Sequence, residues 1–157
     1  MSELNRRDFV IAAACAAGAC MMCGSLAEAA ESNTAAGGNK VDAGNISDYA
    51  KDGVYDKFAD SKKVLIAREK GKLYAMSAVC THKMGTVKLD QKGELMCPKH
   101  KSFFNDEGKP THGPAKAALF RLGISQTADG TIQVDPNKKF GENQWSDAGA
   151  SISVKSA

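Results

Sequence analysis

Two short stretches of this chain carry residue types that bind metals. Cys80-Thr81-His82 and Cys97-Pro98-Lys99-His100 each pair one thiol with one imidazole. These are donors that suit zinc and iron. Fourteen residues separate His82 from Cys97, enough for one hairpin that would return the second stretch beside the first. Two sulfurs and two nitrogens so presented can enclose a metal centre, and the donor types leave two possibilities open. A single zinc ion takes Cys2His2 as a tetrahedron. A two-iron centre divides the same four, both thiolates on one iron and both imidazoles on the other, so each loop supplies one donor to each metal.

The residues around these stretches add to the pattern. Ser102 stands two positions after His100, Phe104 follows it, and Gly113-Pro114-Ala115 lies a short way downstream. With the two Cys/His loops, this run from Leu73 to Val134 resembles the Rieske [2Fe–2S] proteins. The resemblance implies a Rieske-type antiparallel β-sandwich in which two loops form a cluster-binding subdomain. It implies one [2Fe–2S] cluster per chain, with Cys80 and Cys97 on the inner iron and His82 and His100 on the outer iron. Ser102 would donate a hydrogen bond to a bridging sulfide, and Pro114 would belong to a loop covering the cluster. Imidazoles in place of two thiolates make reduction easier and raise the potential.

The chain departs from the family's branch in cytochrome bc-type complexes. That branch carries an additional, disulfide-bonded cysteine in each loop, where this sequence has Gly85 and Lys99. It also places a hydrogen-bonding Tyr where Phe104 stands, and losing that bond lowers the potential. Ser102 and the nearby Lys83, Lys88, Lys99, Lys101 and Lys116 act the other way, the exposed lysines less strongly because salt screens them. The expectation is a potential intermediate within the range of roughly −150 to +300 mV open to such clusters.

The elements that must position these loops read as strands. Val64–Ala67 and Leu73–Met76 flank Lys70-Gly71, and Thr86–Leu89 and Glu94–Met96 flank Lys92-Gly93. Ala117–Ile124 and Thr131–Val134 flank Asp129-Gly130, the strongest hairpin signal in the chain. Ser151–Val154 alternates and is expected at a sheet edge. No window of the body sustains a helical period, so the fold class is all-β. His112 reads as a loop residue, not a third imidazole ligand. Trp145 and Phe140 are expected to anchor a C-terminal extension, residues 136–157, on the sheet.

The N-terminus reads as an address. Arg6-Arg7 precedes a stretch, Phe9 to Ala27, with no charged residue, resembling a twin-arginine export signal, and Ala27-Glu28-Ala29 offers a cleavage site. The same uncharged stretch would rise roughly 28 Å as a helix, so residues 9–27 could instead remain as a membrane anchor. Residues 30–45 read as a flexible linker and 46–135 as the Rieske domain. Of five cysteines, Cys15, Cys20 and Cys23 fall in the address, which excludes a disulfide-rich scaffold. A formal net charge of +3 over 157 residues gives no nucleic-acid footprint, and no nucleophile–base arrangement or nucleotide fingerprint appears.

The leading expectation is therefore an exported one-electron carrier in a periplasmic or membrane-associated respiratory chain. Its partner would be an acidic cytochrome or a quinol-oxidising complex. The iron–sulfur subunit of a larger oxidoreductase, of quinol–cytochrome c or arsenite-oxidase type, is the second reading. A structural zinc module is the third.

Overall fold

The computed structural model describes residues 39–154. The expected export signal over residues 1–29, the alternative anchor 9–27 and the start of the expected linker lie outside the described residues. In chain order the strands are β1 (Val41–Asn45), β2 (Gly53–Tyr55), β3 (Val64–Glu69), β4 (Lys72–Ser77), β5 (Lys88–Leu89) and β6 (Leu95–Cys97). They continue as β7 (Ser102–Phe104), β8 (Pro110–His112), β9 (Arg121–Gln126), β10 (Thr131–Phe140) and β11 (Ile152–Ser153). Among the described residues the only helical elements are two short 3-10 turns, Ile46–Tyr49 and Glu142–Gln144, and no helix is long and apolar enough to cross a membrane.

All pairings are antiparallel. One sheet runs β1-β10-β9-β4-β3-β2 and the other β5-β6-β7-β8. Strand β4 divides one edge between two neighbours: Ala75 and Met76 face β9, while Leu73 and Lys72 face β11. Three hairpins set the registers. Lys70 and Gly71, with φ of 49° and 74°, form a two-residue turn of type I′ between β3 and β4. The β9–β10 hairpin is wider than a two-residue Asp-Gly turn. The Gly130 N–H donates to the Thr127 carbonyl and Thr127 N–H to that of Thr131, giving a three-residue loop whose left-handed last position suits glycine. The β5–β6 loop repeats this geometry between Asp90 and Glu94, ending on Gly93.

Alternation along β3 and β4 builds two cores. Leu65, Ala67, Tyr74 and Met76 point to one face and pack with Val87, Leu95, Phe104 and both cysteines. Val64, Ile66, Leu73 and Ala75 point to the other and pack with Leu122, Ile124, Ile132 and Val134. Both faces are buried, which is why these strands read as continuous apolar runs.

Some boundaries differ from the sequence reading. Val41–Asn45, assigned above to the linker 30–45, form β1 against β10. Ala117–Phe120 are irregular, and β9 begins at Arg121. Strand β10 continues through 136–140 past a register shift between Asp135 and Lys139, the kind of break a strand proline such as Pro136 needs. Beyond it, the Trp145 ring lies 4.3 Å from the buried Arg121 guanidinium, whose other face lies 3.9 Å from the Tyr74 ring.

Candidate metal centre

The two ligand loops are closed in the same way. The first lies between β4 and β5, pinched by a bridge from Val79 to Thr86. Within it the Met84 N–H donates to the Cys80 carbonyl at 3.0 Å and the Cys80 N–H to the Gly85 carbonyl at 2.8 Å. The second connects β6 to β7, where Cys97 and Ser102 are register partners, and the Lys101 N–H donates to the Cys97 carbonyl at 2.9 Å. In both, the residue four beyond the cysteine is a left-handed non-glycine: Met84 and Lys101 each have φ of 53°.

Three side chains brace the loops from outside. Thr81 Oγ1 donates to the Ala117 carbonyl at 2.7 Å. Lys63 Nζ donates to Thr86 Oγ1 at 2.8 Å. Lys99 Nζ reaches the Lys83 carbonyl at 3.4 Å and so spans the two loops.

The donors sort into a sulfur pair and a nitrogen pair. Cys80 and Cys97 are free thiols, 2% and 1% exposed, within the core. The Cys97 thiol titrates above its ordinary range because burial disfavours the thiolate and the Cys80 sulfur lies beside it. The Lys99 and His100 amides, donating to the sulfur, pull the other way. The His82 and His100 rings stand edge to face with centroids 4.8 Å apart. His82 is half-buried and His100 exposed. Partial desolvation, then the neighbouring His82, Lys83 and Lys99, hold the His100 imidazole below its ordinary range.

This donor set fits a two-iron cluster. His82 Nδ1 is buried with no hydrogen-bond partner, an unmet demand that a metal ligand bond would satisfy. The space beside the sulfurs is tight. A Cβ built on Gly85 would lie 2.7 Å from Cys97 Sγ and 3.1 Å from Lys99 Cβ. Gly85 and Lys99, the positions of the other branch's cysteines, are thus adjacent across the loops.

A third segment closes over the second loop. Ser102 is fully buried and its Oγ accepts the Ala115 N–H at 3.2 Å. Gly113 has φ of 94°, and a Cβ there would lie 2.4 Å from the Lys101 carbonyl oxygen. Glycine is what lets Gly113-Pro114-Ala115 approach this closely. Phe104 is buried in the same core as both cysteines. His112 is on β8, not in a loop, and its ring faces Phe103 with centroids 6.2 Å apart.

Sequence reasoning did not single out Thr81, Lys63 or Met84, and it took Gly113 only as part of Gly113-Pro114-Ala115. The hydroxyl and ammonium contacts depend on tertiary placement. Met84 offered one signal, an apolar residue between Lys83 and Gly85 in a polar loop. Among the lysines, Lys83, Lys99, Lys101 and Lys116 are exposed, whereas Lys88 pairs with Asp60 at 3.4 Å.

Comparison with known proteins identifies the family. A sequence profile of the Rieske [2Fe–2S] domain matches residues 39–128. The chain is 37% identical over 75 residues to the cytochrome b6-f complex iron-sulfur subunit 2, cyanelle, of Cyanophora paradoxa, covering 46% of this chain and 31% of that protein. It is 38% identical over 71 residues to the cytochrome bc1 complex Rieske iron-sulfur subunit of Corynebacterium efficiens, covering 43% and 17%. The chain therefore spans a third or less of the length of these curated relatives. The crystal structure of a cyanobacterial plasma membrane Rieske protein from Synechocystis covers 60% of this chain and 98% of its own, with a TM-score of 0.44 and 21% identity. Matched by the profile over more than half its length, the chain belongs to the Rieske [2Fe–2S] domain family, whose members carry one Rieske-type cluster.

Proposed function

We propose that this chain is an exported one-electron carrier serving a periplasmic or membrane-associated respiratory chain. The observation that carries the reading is the sorting of donors: two thiols buried side by side, two imidazoles paired at the outer edge. On this reading Cys80 and Cys97 hold the inner iron, and His82 and His100 the outer iron. When bound, the cluster supplies reversible one-electron oxidation and reduction.

The chain's own residues set how that electron is used. The buried cysteines keep water from the sulfurs, and the amides of Lys99 and His100 donate to Cys97, which favours the more negative reduced state. Ser102 Oγ has accepted the Ala115 N–H, so its own proton is left to donate toward the cluster. The exposed His100 edge is where an electron leaves, and where a ring proton can follow it. Pro98 and Pro114 stiffen the loops that a disulfide holds in the other branch.

Export rests on Arg6-Arg7 and the uncharged stretch behind them. A route for folded proteins suits a chain whose ligands are buried in its core. The relatives named as subunits of cytochrome complexes support the second reading, the iron–sulfur subunit of a quinol–cytochrome oxidoreductase.

The test is iron and sulfide analysis followed by a redox titration monitored by EPR at several pH values. Two irons and two sulfides per chain are expected, with a midpoint in the Rieske range. A midpoint that falls as pH rises near neutrality favours the quinol chain, and one that stays flat favours a ferredoxin-like carrier. A colourless, zinc-loaded protein would refute the cluster.

A further inference from the structure

The side chain at the tip of the first ligand loop is anomalous. Met84 is 82% exposed, the most exposed large apolar residue among those described. It also occupies a left-handed backbone position, φ 53°, where glycine or asparagine would sit with less strain. Strain and exposed apolar surface together disfavour methionine on stability grounds, and such outliers concentrate where surfaces act on partners. Met84 stands two residues from His82, on the loop whose imidazole pairs with the exposed His100.

The charge around it is one-sided. The three segments at this end, residues 80–85, 97–101 and 113–120, contain Lys83, Lys99, Lys101 and Lys116 and no carboxylate, and all four lysines are exposed. Asp52, Glu69, Glu94, Asp106 and Glu107 instead line a cleft that contains none of these loop residues. A flexible thioether among segments whose charged side chains are all basic suits a protein surface that offers both acidic side chains and an apolar recess.

We propose that Met84 and the exposed Lys83, Lys99, Lys101 and Lys116 of these three segments form the docking face for an acidic redox protein, with Met84 seated in an apolar recess of that partner. This rests on the electron-carrier reading and names the partner's chemistry. An anionic membrane would also attract the lysines. It has no redox centre to receive an electron from His100, and a single methionine offers it little apolar area.

The full-length, cluster-loaded protein in its reduced state is mixed in a stopped-flow instrument with an oxidised acidic cupredoxin, and separately with a basic c-type cytochrome. One electron passes to the cupric or ferric ion of the probe, and no bond changes in the probe. With the cupredoxin the second-order rate should fall roughly ten-fold or more from low to high salt. With the basic cytochrome it should rise. Met84→Asn, which tolerates the left-handed backbone, should slow the cupredoxin reaction about ten-fold at every salt concentration. The EPR signal and midpoint should not move, and Met84→Leu should restore the rate. Lys83→Gln with Lys116→Gln should flatten the salt dependence. The same salt response with both probes would overturn the proposal, as would an unchanged rate in Met84→Asn. So would salt-sensitive binding to phosphatidylcholine–phosphatidylserine vesicles that depends on Met84 without any probe preference. Absence of the cluster EPR signal would refute the carrier reading itself, whereas a normal signal with no probe preference removes only the docking face.

Discussion

Gly113 is the residue on which packing of the Gly113-Pro114-Ala115 segment against Lys101 and Ser102 depends, and Gly113→Ala tests that closure. The added methyl would meet the Lys101 carbonyl oxygen at 2.4 Å and Ser102 Cα at 2.8 Å. Ordinary contact needs about 3.5 Å, so the segment must retreat by about 1 Å. The Ala115 N–H bond to Ser102 Oγ is already 3.2 Å long and would pass out of range. Losing it costs about 0.5–1.5 kcal/mol, and the positive φ costs an alanine roughly 1–2 kcal/mol. The expected loss is about 1.5–3.5 kcal/mol, or roughly 10 °C in Tm for a domain of this size. Gly93→Ala is the control, because Gly93 has φ of 81° but nothing within 4 Å of its built Cβ. It should show the backbone strain alone. The assay is thermal unfolding of both variants, with cluster release followed by visible absorbance. Equal shifts for the two variants, with unchanged cluster release in Gly113→Ala, would show that the segment does not pack on Lys101–Ser102 as described.

Other perturbations have equally specific outcomes. Gly85→Ala pushes a methyl against Cys97 Sγ at 2.7 Å, so iron and sulfide per chain should fall several-fold, while the metal-free protein loses only about 1 kcal/mol in urea unfolding. His100→Cys should retain a cluster with a midpoint lower by on the order of 100 mV; a loaded variant of unchanged potential would count against His100 as a ligand. Arg121→Met removes the cation between Tyr74 and Trp145 and should cost about 1–2 kcal/mol in urea unfolding read by Trp145 fluorescence, without moving the midpoint. Asp129 is held below the usual carboxylate range by the Thr127 and Thr131 hydroxyls. Its stabilisation is therefore present above the unfolded pKa of about 3.9 and lost as pH falls through the lower folded value. Unfolding of Asp129→Asn, measured across the acid range, should lack this component.

What the sequence disclosed was what local spacing can encode. The Cys/His loops, the hairpin joining them and the turns at Lys70-Gly71 and Asp129-Gly130 each depend on neighbours within a few residues. Strand β1 did not announce itself. Its pairing of Val41 with Val134 is a long-range contact, and the Ser, Asn and Gly before it read as linker. Strands β7 and β8 are three residues each, too short for a period-two signal, and β8 carries Pro110 and His112. Ala117–Phe120 misled in the opposite sense. That apolar stretch is held irregularly, Leu119 N–H on the Gly108 carbonyl and Phe120 carbonyl on Ser77 N–H. Gly113 showed its residue type but not its reason, because the carbonyl it must clear belongs to another segment.

The distribution of the four ligand candidates between core and surface has a consequence for assembly. Cys80 and Cys97 belong to the same packed core as Leu65, Ala67, Tyr74 and Met76, so the larger sheet and the ligand loops share one interior. Without metal, that interior holds two adjacent thiols, with Cys97 resisting deprotonation and His82 Nδ1 buried without a partner. Cluster binding would remove the thiol protons and satisfy the imidazole, and its free energy then contributes directly to folding. Lys99 supplies only a solvent-exposed bond of 3.4 Å to the first loop, far weaker than a covalent cross-link. The loaded domain should accordingly be insensitive to thiol reductants yet strongly dependent on its cluster. For a protein proposed to leave the cytoplasm, that dependence favours insertion before export, because a chain that arrived empty would have to order both loops with nothing between them.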